Sequence, residues 1–169
     1  GFADPVKRPF NGLQFDGTDD YVSVPNVGPL QLTTKLSLGV WLKGNAFNAL
    51  EHSSVCGKTT GLTVNGYAIS IYDSGPRFYV ADNQTGSSSP LSLRTWYFLM
   101  GTYDTSLSAN NIKLYSNGQI IKQINNTTVI TDANTFFAIG TTLISGINGW
   151  HNGRIAGTVI FNRALSTSE

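Results

Sequence analysis

Apolar and polar residues alternate with a period of two along most of the 169-residue chain. In residues 36–43, every even position holds leucine or valine. No window keeps the i, i+3, i+4, i+7 apolar stripe of an amphipathic helix for three turns. Further strands are predicted at 67–71, 77–80, 96–103 and 155–161. The pattern therefore predicts a nearly all-β chain, and many short strands with glycine-rich turns favour a sandwich of two antiparallel sheets.

The first predicted strands flank an acidic turn in residues 11–24, NGLQFDGTDDYVSV. Two apolar residues alternate with polar neighbours, Asp16-Gly17 then supplies a turn, and the extended pattern resumes at residues 21–24. A tight turn between two alternating segments is typical of a β-hairpin. We therefore expect the chain to open with a hairpin.

A second hairpin is predicted at residues 112–122. Its centre is Asn117-Gly118, a pair that fits a two-residue turn with both residues at positive φ. Counting outward from this turn places Lys113 opposite Lys122. Two facing lysines indicate either a groove for an anionic ligand or two solvated side chains that splay apart.

Two residues are assigned to the interior by their surroundings. The nearly continuous apolar run 96–103 predicts a central strand covered on both faces, with Trp96 in the core. Cys56 is the single cysteine, which excludes an intrachain disulfide. Its thiol is either reactive or a small buried side chain on a strand at 55–58, and the second interpretation is favoured.

Composition indicates one domain with a polar but weakly charged surface. Charged residues make up 12% of the chain and the net charge is +1, whereas soluble proteins average about 25% charged residues. Lysines and arginines are scattered, so no nucleic-acid partner is expected, and no apolar run approaches the ~18 residues of a membrane span. Residues 1–10 are predicted to be a linker from a longer parent chain and residues 11–169 the folded domain.

The chain lacks the residue pattern of a hydrolase. A glycosidase needs two positioned carboxylates, but the two glutamates, Glu51 and Glu169, lie in a predicted loop and at the terminus. His52 and His151 also lie in predicted loops, and no sequence signature links them to a Ser-His-Asp site. We therefore interpret the domain as non-catalytic.

The acidic turn is the strongest metal candidate. Asp16, Asp19 and Asp20 crowd into it, and calcium, a hard cation, takes carboxylate and carbonyl oxygens from turns. So short a loop supplies about two or three of the roughly six to eight ligands that calcium requires. Alternatively, Asp16 caps its own turn while the other two carboxylates face solvent.

The best candidate for binding carbohydrate is Trp150, which lies in the glycine-rich segment 146–153. An indole offers an apolar plane on which a sugar can stack. The neighbouring Asn148, His151 and Asn152 would then bond to the sugar hydroxyls. Alternatively, Trp150 folds back over an edge of the sandwich and serves only to cover it.

Three further aromatic residues are candidates for the same role. Trp41 is out of phase with the leucines around it, and Tyr72 and Tyr79 lie in or beside predicted strands. These side chains either line an outer face that is open to a ligand or cover the second face of a sheet.

Four segments together resemble the laminin-G-like branch of the concanavalin A-like lectin and glucanase superfamily. They are LQFDGTDDYVSVP at 13–25, LSLGVWLK at 36–43, TWYFLMGTYD with IKLYSNGQII at 95–121, and GRIAGTVIFNRALSTSE at 153–169. Each segment is weak evidence alone, but the four in this order are specific for the fold. The resemblance implies a jelly-roll sandwich that commonly serves as an accessory module in larger secreted, cell-surface or virion proteins.

The resemblance also bears on calcium and on catalysis. Family members often hold a structural calcium between the first acidic turn and acidic residues of the penultimate strand. Here Ala156 and Gly157 stand where aspartate is common, which removes the usual partners of Asp16 and Asp20. The glucanase branch carries catalytic glutamates on one strand, and nothing in this chain matches them.

The leading functional hypothesis is a non-catalytic carbohydrate-binding or adhesive module of a larger extracellular, cell-surface or phage-associated protein. A glycan or polysaccharide is the expected partner. The alternative is a structural or protein-interaction module, such as a capsid decoration, fibre or spacer domain, that has no glycan ligand and meets other protein subunits.

Overall fold

A computed structural model of the chain describes residues 12–47, 52–61, 65–81, 83–142 and 149–169, so the predicted linker lies outside the described part. The described residues confirm the all-β prediction, because they contain twelve β-strands, one 3-10 turn at Gly28–Leu30 and no α-helix. None of these residues belongs to a helix long and apolar enough to cross a membrane. The strands are β1 Leu13–Asp16, β2 Val22–Val24, β3 Lys35–Ala46, β4 Ser53–Gly61, β5 Asn65–Tyr72, β6 Gly75–Val80, β7 Asn83–Gly86, β8 Tyr97–Asp104, β9 Ile112–Ser116, β10 Gln119–Ile124, β11 Phe137–Ile139 and β12 Asn152–Phe161.

The strands form two six-stranded antiparallel sheets. Sheet I has the strand order β1-β12-β3-β8-β9-β10, and sheet II has the order β2-β11-β4-β5-β6-β7. The four even-numbered residues of 36–42 in sheet I are fully buried and share one core with Ile69 and Phe78 of sheet II. This arrangement confirms the predicted jelly-roll β-sandwich, with the core between the sheets and an outer face on each side.

The acidic turn connects the two sheets and does not close a hairpin. β1 pairs with β12 in sheet I, whereas β2 pairs with β11 in sheet II. The two predicted strands exist, but the predicted pairing between them is wrong. Alternation identifies the buried face of each strand and says nothing about its partner.

The second hairpin is present, with a register that differs from the predicted one. Asn117 and Gly118 have φ of 50° and 80°, as a two-residue turn requires. A register shift between Ile120 and Lys122 then places Lys122 opposite Leu114 rather than opposite a lysine. The predicted lysine pair is therefore wrong, because a β-bulge adds one residue to β10.

The two interior assignments have different outcomes. Cys56 is completely buried, and burial raises the pKa of its thiol, so it is a core residue rather than a reactive one. Trp96 is only half-buried and precedes β8. The Lys43 ammonium lies 5.4 Å from the centre of its ring. The prediction that Trp96 lies in the core is wrong, since the strand begins one residue later and the indole packs under a lysine at the surface.

Segment 125–136 crosses from β10 in sheet I to β11 in sheet II. Ile130 is buried in it, and its N–H donates to the Thr33 carbonyl at 2.8 Å. The ammonium of Lys58, whose side chain is only 1% exposed, pairs with the Asp132 carboxylate of this segment. The crossover is therefore anchored by a buried isoleucine, a backbone hydrogen bond and an ion pair whose lysine is buried.

Candidate functional site

Three carboxylates gather at the surface where the chain leaves β1. Asp16 Oδ1 accepts hydrogen bonds from the N–H groups of Thr18 at 2.7 Å and Asp19 at 3.4 Å, and Asp20 Oδ2 accepts one from the Asp16 N–H at 3.0 Å. One carboxylate oxygen from each of the three aspartates lies within 4.8 Å of the others, and all three residues are exposed. The turn thus caps itself and also presents clustered oxygens to solvent.

The register of β1 against β12 shows which side chains face this turn. Asn152 pairs with Asp16, and a Cβ at Gly17 would lie 2.8 Å from the Asn152 Cβ and 3.1 Å from its Nδ2. Ile155 pairs with Leu13, the residue of β1 farthest from the turn. Ala156 and Gly157 follow Ile155 and therefore lie beyond that end of β1. The expectation that these two residues face the turn is therefore wrong. Three clustered carboxylates are a donor set that suits a hard cation, and the Asn152 side chain lies beside Gly17 of the same turn.

Three aromatic rings lie together beside the acidic turn. Tyr21 follows the turn directly and is 48% exposed. The centre of its ring is 6.0 Å from that of Trp150, with an interplanar angle of 50°, and 6.2 Å from that of Phe136, with an angle of 25°. Trp150 and Phe136 are half-buried. We call Tyr21, Phe136 and Trp150 the aromatic cluster. The fold thereby joins the predicted sugar-binding tryptophan to the predicted metal turn.

His151 points into the molecule, contrary to its expected contact with a ligand. Its ring is completely buried and lies edge-on to Phe15 at 6.4 Å between ring centres. Its Nδ1 is 3.4 Å from Ser53 Oγ, and its backbone N–H donates to the Gly140 carbonyl at 2.8 Å. Burial lowers the pKa of the imidazole to about 4, so the ring is neutral at pH 7. The other predicted partner, Asn148, lies outside the described residues.

The two predicted tyrosines lie on the outer face of sheet II, because Ile71 and Phe78 beside them face the core. Tyr72 is 36% exposed and Tyr79 only 4%. The His52 ring stacks on Tyr72 at 4.4 Å, and the Tyr79 hydroxyl lies 3.3 Å from His52 Nδ1. Tyr72 thus lines the surface, whereas Tyr79 supports it from beneath. One tyrosine is therefore exposed on the outer face, and the other is covered.

Trp41 lies on the outer face of sheet I, away from the other candidates. Its ring is 39% exposed and packs against Phe98 at 5.3 Å between ring centres. In the register of β3, Trp41 pairs with Phe98 on one side and with Ala156 on the other. It therefore belongs neither to the aromatic cluster nor to the tyrosines of sheet II.

Sequence reasoning missed three residues of these surfaces. Tyr21 is visible as an aromatic residue next to an acidic turn, which is the one signal that could have identified it. Phe136 and His52 have no such signal, since each meets its partner through contacts between distant segments.

The Laminin_G_3 family model, described as the concanavalin A-like lectin/glucanases superfamily, matches residues 16–169. The chain belongs to this family. Residues 16–169 of this laminin-G-like domain include all of β2 to β12. The assignment therefore confirms the resemblance inferred from the four sequence segments. No curated protein sequence matches the domain.

Solved structures share the fold of the laminin-G-like domain at low sequence identity. A Bacteroides ovatus protein described as a candidate carbohydrate-binding protein superposes with a TM-score of 0.72 at 16% identity, over 95% of this chain and 46% of that one. For the CBM40 domain of the Ruminococcus gnavus IT-sialidase the TM-score is 0.71 at 14% identity, over 94% and 93% of the two chains. Domain 4 of an extracellular arabinanase from Geobacillus stearothermophilus, solved with arabinotriose, gives 0.67 at 19% identity, over 92% and 72%. The domain thus spans less than half the length of the Bacteroides protein.

Proposed function

We propose that the domain is a non-catalytic carbohydrate-binding module of a larger extracellular, cell-surface or virion-associated protein. The fold is one that structural neighbours described as carbohydrate-binding modules also use. The observation that carries the proposal is the exposed Tyr21 ring, which packs near Trp150 and Phe136 and directly follows a turn with three carboxylates.

The aromatic cluster and the acidic turn have complementary roles in this proposal. The apolar face of a sugar ring stacks on Tyr21 and Trp150, since aromatic planes bury sugar C–H groups without immobilising a flexible side chain. The sugar hydroxyls donate to the carboxylates of the turn and accept from the Asn152 amide. A platform with a polar rim of this kind fixes both the position and the orientation of a ligand.

Calcium at the acidic turn is part of the proposal. Asp16, Asp19 and Asp20 would hold it, with further ligands from water or sugar hydroxyls. The ion would supply a positive centre that offsets the repulsion among three adjacent carboxylates. Its binding would then strengthen any glycan contact made at the turn.

The proposal that the domain is non-catalytic is supported by the ion pairs that its carboxylates form. Outside the acidic turn, three of the four described carboxylates are held in ion pairs: Asp104 with Lys35 at 3.1 Å, Asp132 with Lys58, and Glu169 with Arg163 at 2.6 Å. A carboxylate held in an ion pair favours its charged form and is a poor general acid. These contacts therefore favour binding over glycoside hydrolysis.

The proposal is tested with a glycan array followed by titration calorimetry on any glycan that binds. We expect Trp150→Ala and Tyr21→Ala each to weaken binding roughly tenfold, as for the loss of one stacking surface. Trp41→Ala, the matched control on sheet I, should leave affinity unchanged. A chelator should weaken binding if calcium occupies the turn. If no glycan binds the parent domain above background and the three variants behave like the parent, the proposal is overturned.

A protein-interaction module is the second candidate, favoured by the outer face of sheet I. Trp41, Val159 and Phe161 lie on this face with 39%, 37% and 38% of their surfaces exposed. Exposed apolar residues on one face are typical of protein contacts. A defined oligomer in light scattering that Val159→Lys disrupts, without any glycan affinity, would support this candidate.

A further inference from the structure

The outer face of sheet II carries a second polar and aromatic cluster, distinct from the one at the acidic turn. It consists of His52, Tyr72, Arg77 and Tyr79, which we call the basic cluster. Arg77 lies on β6 opposite Ser70 of β5, and the next residue of β6 faces the core, so Arg77 points outward. The cluster brings together one cation and three ring side chains, with Tyr72, Arg77 and Tyr79 from the β5–β6 hairpin and His52 from the segment before β4.

The Arg77 side chain is held in a defined place. Its Nη1 donates to the Pro76 carbonyl at 3.2 Å and also to the Ser87 carbonyl. A Cβ at Gly86 would collide with Arg77 Cδ, and a Cβ at Gly75 would lie 3.0 Å from Nη1. The guanidinium thus lies over two glycines and is fixed by two carbonyls, which reduces the entropy it would lose on binding a ligand.

The charge of Arg77 has no acidic partner among the described residues. No carboxylate there lies within 4.0 Å of the guanidinium, and neither Nε nor Nη2 donates to a described group. The guanidinium carbon lies 5.8 Å from the centre of the Tyr72 ring. The three N–H groups of Nε and Nη2 and a positive charge are therefore placed next to a partly exposed aromatic ring.

The remaining members of the basic cluster support this surface. Tyr72 is 36% exposed, so its ring can be covered by a ligand. His52 stacks on Tyr72 and is fixed from beneath by the Tyr79 hydroxyl. Burial and the nearby Arg77 lower the pKa of His52, so the imidazole is neutral at pH 7 and can bond to a hydroxyl group.

We propose that the basic cluster binds a carboxylated sugar, with the carboxylate on Arg77 and the sugar ring against Tyr72. A planar carboxylate matches the fork of N–H donors on a guanidinium, and the contact is charge-assisted. A neutral sugar would leave the charge of Arg77 uncompensated. The inference rests on the proposed glycan-binding function but assigns it a second site and a ligand class. The acidic turn carries three carboxylates and repels such an anion, so the two sites should differ in specificity.

The test compares acidic sugars with neutral partners of the same shape by titration calorimetry or NMR. Trigalacturonic acid is paired with its methyl ester, and 3′-sialyllactose is paired with lactose, so the two arms distinguish a uronic from a sialic carboxylate. We expect at least one acidic probe to bind roughly tenfold or more tightly than its neutral partner. Arg77→Gln should abolish this preference, and Arg77→Lys should keep only part of it.

Three further variants separate the possible outcomes. Arg94→Gln removes an exposed arginine elsewhere and should change nothing. Tyr72→Ala should lower the affinity for the acidic probe while leaving Arg77 in place. Trp150→Ala should keep the preference for the acidic probe, even if it abolishes binding of other glycans.

Two results would overturn the inference. One is equal affinity for acidic and neutral partners, including no affinity for either. The other is an acidic preference that survives in folded Arg77→Gln, as judged by an unchanged thermal midpoint. If glycans bind in a manner that depends on Trp150 alone, the second site is excluded while the proposed function stands.

Discussion

Burial decides which side chains of this domain are available for chemistry. His52 and His151 both lie in segments between strands, and the sequence offers nothing to separate them. The fold places His52 at the surface beside Tyr72 and encloses His151 between Phe15 and Ser53. One imidazole therefore belongs to a candidate site, and the other belongs to the interior.

The buried His151 should make stability depend on pH. Its pKa falls from 6.5 to about 4 because burial disfavours the charged ring. The unfolded chain therefore binds a proton first as pH falls, and the stabilisation present above pH 6.5 is lost as pH approaches 4. We expect the free energy of unfolding to fall by up to roughly 3 kcal/mol over this range. Urea denaturation at several pH values measures it.

The variant His151→Gln isolates this contribution from that of the carboxylates, which titrate in the same experiment. Its stability should fall less steeply between pH 6.5 and pH 4 than that of the parent. His52→Gln is the control, since His52 is only half-buried and its replacement should leave most of the slope intact. Parallel curves for the parent and His151→Gln would contradict the assignment.

At the scale of strands, alternation predicts which face is buried but leaves the partner open. The leucines and the valine at the even positions of 36–42 do lie in the core, yet β1 and β2 belong to different sheets. Two residues suffice to identify the turn at Asn117-Gly118, but the bulge that follows it has no local signal. A turn is determined by neighbouring residues, whereas the pairing of two strands depends on competition among segments that are far apart in the sequence.

The candidate sites follow the same division. Asp16, Asp19 and Asp20 are close in sequence and can be grouped from their positions in the chain alone. Tyr21 and Trp150 meet only because β1 lies alongside β12 from the far end of the chain. The basic cluster is only partly visible in the sequence, because Tyr72, Arg77 and Tyr79 lie in one hairpin whereas His52 joins them from the segment before β4.

The hairpin turn gives a direct test of backbone conformation. Gly118 has φ of 80°, and no heavy atom lies within 4 Å of the position of an added Cβ. Gly118→Ala should therefore cost only backbone strain, about 1 kcal/mol. Gly118→Asn should cost less, because asparagine tolerates positive φ. Urea denaturation of both variants measures the difference, and equal losses would show that side-chain crowding matters instead.

At the scale of the whole molecule, two candidate sites of opposite charge occupy one sandwich. The acidic turn lies where the chain passes from sheet I to sheet II, and the basic cluster lies on the outer face of sheet II. The two sites share no residue, so each can be altered by a mutation that does not replace a side chain of the other. Under the two proposals, the sites would take different sugars, since an anionic sugar is attracted by Arg77 and repelled by the carboxylates of the acidic turn.

The sandwich is held without a disulfide, so the contacts that join its sheets matter for stability. The crossover segment 125–136 is anchored to sheet II through Asp132 and the buried Lys58. Asp132→Ala leaves the Lys58 ammonium in the interior without its partner, and we expect a loss of roughly 3 kcal/mol. Lys58→Met should cost less, because methionine fills the same apolar space and the Asp132 side chain, 28% exposed, can still reach water. Denaturation curves of the two variants should therefore rank Asp132→Ala as the less stable, and the reverse order would show that Lys58 is not desolvated in the folded domain.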